Sequence, residues 1–222
     1  MEISKGVEML HLDFHGNIIH PVLLWDRDMA VLIDTGFPGQ MDDLRVAMEK
    51  VDVSFDKLKA VILTHQDVDH IGSLPEILRE CGEHVHVYAH ELDKPYIQGE
   101  IPLLKDGHLE NPPKGRVDYT VSDGQELPFC GGIRVIHTPG HTPGHISLYV
   151  KQSKILIAGD SMYSVNGFLE GIHVPTTPDM NAARLSVKKY IDLDIASVVC
   201  YHGGLSNGNV KGRIVELSQG LR

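Results

Sequence analysis

Histidines and aspartates crowd into one short stretch of this chain, Thr64-His65-Gln66-Asp67-Val68-Asp69-His70-Ile71-Gly72. His65, Asp67, Asp69 and His70, four groups able to ligate a metal, fall within six positions. Imidazole nitrogen and carboxylate oxygen both suit zinc and iron. The stretch follows an apolar run, Ala60-Val61-Ile62-Leu63, rich in β-branched residues, which reads as a buried strand. Ionisable groups packed this densely at a strand end are costly to bury without a partner, and a divalent cation fits their chemistry.

Three further segments repeat the pattern of a strand followed by a candidate ligand. His137-Thr138-Pro139-Gly140-His141-Thr142-Pro143-Gly144-His145 places histidines in a Gly/Pro-rich turn between two strands. Lys154-Ile155-Leu156-Ile157-Ala158-Gly159-Asp160 ends an apolar strand in an aspartate, and Ser197-Val198-Val199-Cys200-Tyr201-His202 ends another in a histidine. Each candidate adjoins glycine, which lets a backbone turn tightly. If these strand ends converge, seven ligands are available, enough for two metal ions.

The ordered set resembles the metallo-β-lactamase superfamily. The resemblance spans nearly the whole chain, from Ile33-Asp34-Thr35-Gly36 through the 65–70 cluster, Gly140-His141-Thr142-Pro143-Gly144-His145 and Asp160 to His202. It implies a single domain over residues 1–222 with an α/β (α+β) fold, a four-layer αββα sandwich of two mixed β-sheets flanked by helices. Carried over by position, it implies that His65, Asp67 and His141 hold a first metal ion. Asp69, His70 and His202 would hold a second, and Asp160 would bridge them. The expected cofactors are two divalent metal ions, zinc first, with iron or manganese as alternatives. The family usually has histidine where this chain has Asp67. The added negative charge shifts preference toward harder ions and makes a bound water less acidic.

The resemblance implies a metal-dependent hydrolase. Metal binding lowers the pKa of water from about 15.7 to about 7, and the hydroxide attacks a carbonyl of an ester, lactone or thioester. Asp69 and Asp160 are the expected catalytic residues, Asp69 as proton shuttle. Two readings of other classes stand beside it. One is an iron-dependent oxidoreductase of the same fold, flavodiiron-like (with a carboxylate matching Asp67) or persulfide dioxygenase-like. The other is a metal-binding protein with little activity.

The elements that must position these groups are visible as periodicities. Residues 18–25 and 29–33 read as paired strands, and residues 85–89, 133–137, 146–150, 155–158 and 197–201 as further strands. Residues 40–51 carry Met41, Leu44, Met48 and Val51 at helical spacing. Residues 75–81 read as a shorter helix with Ser73 as cap and Gly82 as stop, and residues 180–191 and 210–217 as two more. Hairpins mixed with strand–helix alternation point to mixed sheets covered by helices. The strand-to-ligand pattern recurs in both halves, and here too the chain is similar to the family, which has a two-fold pseudo-repeat.

Asp34 follows a buried strand, where a carboxylate can orient a ligand through a hydrogen bond. His145 reads as a structural hydrogen-bonding group, and His84 and His86 as solvent-facing strand residues. Two long irregular stretches, residues 95–116 and 161–179, are of a length that is often functional. The second mixes Met162, Tyr163, Phe168, Leu169 and Ile172 with few charges. Tyr163, Phe168 and His173 are therefore the candidate substrate-pocket residues, and the substrate is expected to be small and partly apolar.

The chain has 222 residues, 42% of them hydrophobic, ample for a core. A net charge of −10 with no Lys/Arg run argues against nucleic acid as a partner. No apolar run approaches the roughly 20 residues needed to span a bilayer, so no membrane partner is expected. No leader is visible at the N-terminus, and a cytoplasmic location is expected. Cys81, Cys130 and Cys200 are too few and too scattered for a disulfide framework, and Cys200 reads as a buried, inert thiol. The composition leaves homo-oligomerisation open.

Overall fold

A computed structural model describes residues 1–220. They form two compact units, Met1–Val121 and Ser122–Arg222 with the last two residues undescribed. Among the described residues no helix is long and apolar enough to cross a membrane.

The first unit begins with β1 (Glu2–Ser4), β2 (Val7–Met9) and a separate small hairpin of β3 (Leu12–Phe14) and β4 (Asn17–Ile19). It continues through β5 (Val22–Trp25), β6 (Ala30–Ile33), α1 (Met41–Glu49), β7 (Leu58–Ile62), α2 (Val68–Ile71) and α3 (Leu74–Cys81). It closes with β8 (His86–His90), α4 (Lys94–Ile97) and β9 (Tyr119–Val121). Seven strands form one sheet in the order β1-β2-β5-β6-β7-β8-β9. Pairing is antiparallel up to β6 and parallel from β6 to β9. Every residue of β6 is buried, as a central strand covered on both faces requires. A parallel pair needs a crossover, and α1 supplies the one between β6 and β7 while burying Met41, Leu44 and Met48.

The second unit holds β10 (Glu126–Leu127), β11 (Ile133–His137), β12 (Ile146–Val150), β13 (Ile155–Gly159) and a hairpin of β14 (Tyr163–Val165) and β15 (Phe168–Glu170). Then come α5 (Met180–Lys188), β16 (Ser197–Cys200), β17 (Gly204–Ser206) and α6 (Val210–Ser218). Its six-stranded sheet runs β10-β11-β12-β13-β16-β17, with β13 and β16 the parallel pair. Helix α5 starts where the Asp179 carboxylate accepts the N–H groups of Asn181 and Ala182. It buries Val187 in a cluster with Leu156, Met162, Tyr190 and Val198.

The two units share a local topology. β5, β6 and β7 form an antiparallel pair and then a parallel strand reached through α1; β12, β13 and β16 do the same through α5. Asp34 and Asp160 each follow the first strand of the parallel pair, and His65 and His202 lie just beyond the second. The pseudo-repeat that the family resemblance implies is thus present in the strand pairing of each unit.

Several local expectations are corrected. Residues 18–25 are not one strand: Ile18 and Ile19 pair with the β3 segment, and Pro21, which has no N–H to donate, separates them from β5. Ser73 does not cap α3; its hydroxyl donates to the Phe37 carbonyl at 2.9 Å. His84 is exposed in a 3-10 turn rather than in a strand. Residues 161–179 are not irregular throughout, because the β14–β15 hairpin occupies their first half.

Candidate metal centre

In the first unit, the parallel register of β6 and β7 sets Ile33 against Ile62, so both strands end at the same level. The next residues are chemically active. Asp34 takes a left-handed backbone conformation, φ 62°, rare without glycine, and turns its carboxylate inward. That carboxylate is buried and accepts three donors: the Thr64 N–H at 2.8 Å, the Thr64 hydroxyl at 2.8 Å and His70 Nδ1 at 2.9 Å. Thr64 has one hydroxyl proton, and Asp34 receives it. His65 Nδ1, 3.0 Å from that same hydroxyl oxygen, must therefore donate to it. Both rings thus carry their proton on Nδ1, which leaves Nε2 as the basic nitrogen.

Those Nε2 atoms face carboxylates. His65 Nε2 lies 3.3 Å from Asp67 Oδ2, and His70 Nε2 lies 3.7 Å from Asp69 Oδ2. The two rings are 3.9 Å apart between centroids and both are fully buried. Two oriented imidazoles and two carboxylates form a donor set that suits a divalent cation. Helix α2 is held by close backbone approach: Thr35 N–H donates to the His70 carbonyl at 2.7 Å, and Gly72 N–H to the Gly36 carbonyl at 2.9 Å. A Cβ at Gly72 would sit 2.3 Å from the Phe37 backbone, so only glycine fits there.

The cluster is strongly anionic. Burial, reinforced by the charges of Asp67 and Asp69, holds the Asp106 carboxyl above its ordinary range, against a hydrogen bond from the Val68 backbone. Lys105 forms an ion pair with Asp67 Oδ2. Next to it, the Leu104 N–H donates to Gln66 Oε1 at 2.9 Å, and Gln66 is itself fixed by the fully buried Asp93 through its N–H and its side-chain amide.

In the second unit the candidate ligands come from three strand ends. β11 and β12 pair His137 with Ile146, so the turn between them carries His141 beside the end of β13. Asp160 follows β13, and His202 lies just past β16. One oxygen, Asp160 Oδ2, lies 3.3 Å from His141 Nε2 and 3.4 Å from His202 Nε2. His145 Nε2 accepts the Asp160 N–H at 2.9 Å, while its Nδ1 lies 2.8 Å from the Thr138 hydroxyl. This is the structural role its position suggests. A buried hydroxyl network backs it: Thr138 meets Ser147 at 3.2 Å, and Tyr190 lies 2.8 Å from Ser147 and 2.7 Å from Ser161. Burial pushes the Tyr190 phenol up, so it stays a neutral hydrogen-bonding group. Cys200 is buried, and burial, helped by the charge of Asp160, raises its thiol far above the ordinary value. A Cβ at Gly203 would overlap the Ser164 carbonyl at 1.8 Å, which keeps the backbone after His202 tight.

The expected pocket residues separate. Tyr163 and His173 meet edge to face at 5.7 Å and line a cavity of about 310 Å³ with Glu170, Met180 and Arg184. Phe168 lies at the hairpin, 76% exposed, and lines a different depression with Asn207 and Arg213. Thr64, Lys105, Thr138 and Tyr190 are the residues that motif reading missed. Thr64 and Thr138 stood inside the motifs beside the candidate ligands, whereas Lys105 and Tyr190 act across 38 and 43 positions.

A fold of this topology with histidine and aspartate at these strand ends defines a class, the metal-dependent hydrolases of the metallo-β-lactamase superfamily. The chain belongs to that superfamily, whose model matches residues 17–202. It is 32% identical to the probable metallo-hydrolase YflN of Bacillus subtilis (strain 168), over 99% of this chain and 92% of the relative. It is 29% identical to the hydroxyacylglutathione hydrolase GloC of Haemophilus influenzae, over 64% of this chain and 65% of that protein. Among solved structures, the metallo-β-lactamase family protein TTHA1429 of Thermus thermophilus superposes with a TM-score of 0.74 at 20% identity, over 99% of this chain and 80% of its own. The archaeal ST1585 of Sulfolobus tokodaii gives 0.72 at 24% identity, over 97% and 85%.

Proposed function

We propose that this hydrolase uses a dinuclear divalent-metal centre to cleave a carbonyl bond, in an ester, lactone or thioester, of a small and partly apolar substrate. The observation that carries the reading is the shared orientation of His65 and His70, whose Nδ1 atoms are committed to the buried Thr64–Asp34 anchor. Each Nε2 then faces one carboxylate, which sorts the cluster into His65 with Asp67 and His70 with Asp69. In the second unit, Asp160 Oδ2 stands between His141 and His202. That pattern fits the assignment that the family resemblance implies: His65, Asp67 and His141 on one ion, Asp69, His70 and His202 on the other, and Asp160 as bridge. We read the two units as halves of one domain over residues 1–222.

Bound divalent ions would supply an acidified water and a Lewis-acid contact for the carbonyl. The protein's own part is to orient and to move protons. Asp34 and Thr64 fix the two rings of the 65–70 segment. The Asp69 carboxylate, about one-seventh exposed, would take a proton and return it to the leaving group. Zinc is the expected ion. The likeness to a hydroxyacylglutathione hydrolase favours an acyl substrate, and Tyr163 and His173 offer a surface for it. Cys81, Cys130 and Cys200 are too few and too scattered for a disulfide framework, which fits a reducing, cytoplasmic setting.

The test is metal analysis of the purified protein combined with a screen of aryl esters, acyl lactones and acyl thioesters. Roughly two metal equivalents are expected, with hydrolysis of at least one class that chelation removes and added metal restores. A protein without metal, or hydrolysis indifferent to chelation, would overturn the reading.

A further inference from the structure

Asp67 stands out twice. It brings a full negative charge to a position where the family usually has a neutral ring, and it carries an ion pair of its own. Its Oδ2 meets Lys105 Nζ while remaining 3.3 Å from His65 Nε2. The pair is not a surface decoration. The Asp67 side chain is 10% exposed and that of Lys105 23%. The lysine is also delivered by a fixed segment: the preceding Leu104 N–H donates to Gln66, beside Asp67, and Gln66 is held by the fully buried Asp93. Long flexible cations on a surface lose their pairing energy to side-chain entropy and screening. This one is tied at its backbone, which removes part of that entropy.

We propose that Lys105 is a positioning residue that makes Asp67 a charge-neutral ligand. Three aspartates in the proposed ligand set bring three negative charges. With histidine in place of Asp67 there would be two, and the Lys105 ammonium restores that lower total. Lys105 also claims one lone-pair direction of Oδ2, which leaves the carboxylate to present its remaining oxygen density toward His65. The chain thereby keeps an oxygen donor at this position without the charge that oxygen normally brings. The shift toward harder ions expected from Asp67 alone is offset by the same contact.

The inference rests on the metal-centre reading, and metal affinity tests both separately. Zinc and manganese dissociation constants would be measured by competition with a chromogenic chelator for wild type, Lys105→Met and Lys105→Arg, with thermal unfolding as the check on folding. Removing the cation should tighten zinc at the first site about tenfold, the scale of one partly screened unit charge a few ångströms away. It should tighten manganese more than zinc, because the bared carboxylate is the harder donor. Lys105→Arg should stay within about twofold of wild type, since it keeps the charge. A folded Lys105→Met protein with unchanged or weaker zinc affinity would overturn the inference while wild-type binding leaves the metal centre standing. A wild type that binds neither metal would remove the centre, and the inference with it.

Discussion

Asp34 and Asp160 occupy the same place in the repeated topology, at the end of the first strand of a parallel pair, yet they do different work. In the first unit the left-handed residue is the aspartate itself, φ 62°, and the carboxylate turns inward to accept three donors. In the second unit the left-handed residue is Gly159, φ 55°, one position earlier and at a break in the β13–β16 register. Asp160 therefore emerges at the strand end, with its oxygen between two imidazoles. Moving the positive-φ residue by one position separates a carboxylate that accepts backbone and side-chain donors from one that faces two imidazoles. The support differs as well: an anion orients the rings of the first unit, whereas neutral hydroxyls and His145 back the second.

The largest break should come at Asp160. Asp160→Ala removes the shared oxygen, and the screened hydrolysis should vanish while circular dichroism still reports a folded protein. A variant with wild-type rate and metal content would make the two aspartates equivalent after all. Asp34→Ala should come next. It leaves the Thr64 N–H, the Thr64 hydroxyl and the His70 Nδ1–H without their acceptor. Metal affinity should fall about 10–100-fold, as for other partners that orient a ligand, and denaturant unfolding should show a loss of about 1–3 kcal/mol for each donor left buried and unsatisfied.

His145→Ala tests the neutral side. The Asp160 N–H loses its acceptor, so stability should drop by about 1–3 kcal/mol. Metal equivalents by atomic emission should stay as in wild type, because both ring nitrogens are engaged by the Asp160 N–H and the Thr138 hydroxyl. Loss of one equivalent from the folded variant would place His145 among the ligands. Tyr190→Phe should have the smallest effect. Ser147 and Ser161 keep the Ala158 carbonyl as acceptor, so the cost should be about 1 kcal/mol or less in chemical denaturation. A larger cost would show that the hydroxyl network acts as one unit.

The candidate ligands stood out because they cluster, in the 65–70 segment, or close an apolar strand, as at Asp160 and His202. Strands β11, β12, β13 and β16 were legible as short runs rich in apolar and β-branched residues. The three-residue hairpins were not, since β3, β4, β14 and β15 are too short to show a period. The supporting contacts were hidden for a different reason. Lys105 reaches Asp67 across 38 positions and Tyr190 reaches Ser147 across 43, and no local pattern encodes such a pairing. Asp34 was readable as a candidate orienting group, but Thr64, which links it to both rings, acts through a hydroxyl that motif logic passes over.

Each sheet is assembled wholly from its own half of the chain. For a protein made from the N-terminus onward this imposes a timetable. All seven strands of the first sheet have left the ribosome soon after Val121 is made, so that half can close while the second is still being synthesised. It is also the half with four candidate donors in six consecutive residues, 65–70. The remaining three are delivered one strand end at a time, His202 last. Arrested nascent chains carrying residues 1–121 clear of the ribosome should already resist protease over that half, and full protection should wait until β16 and His202 have emerged.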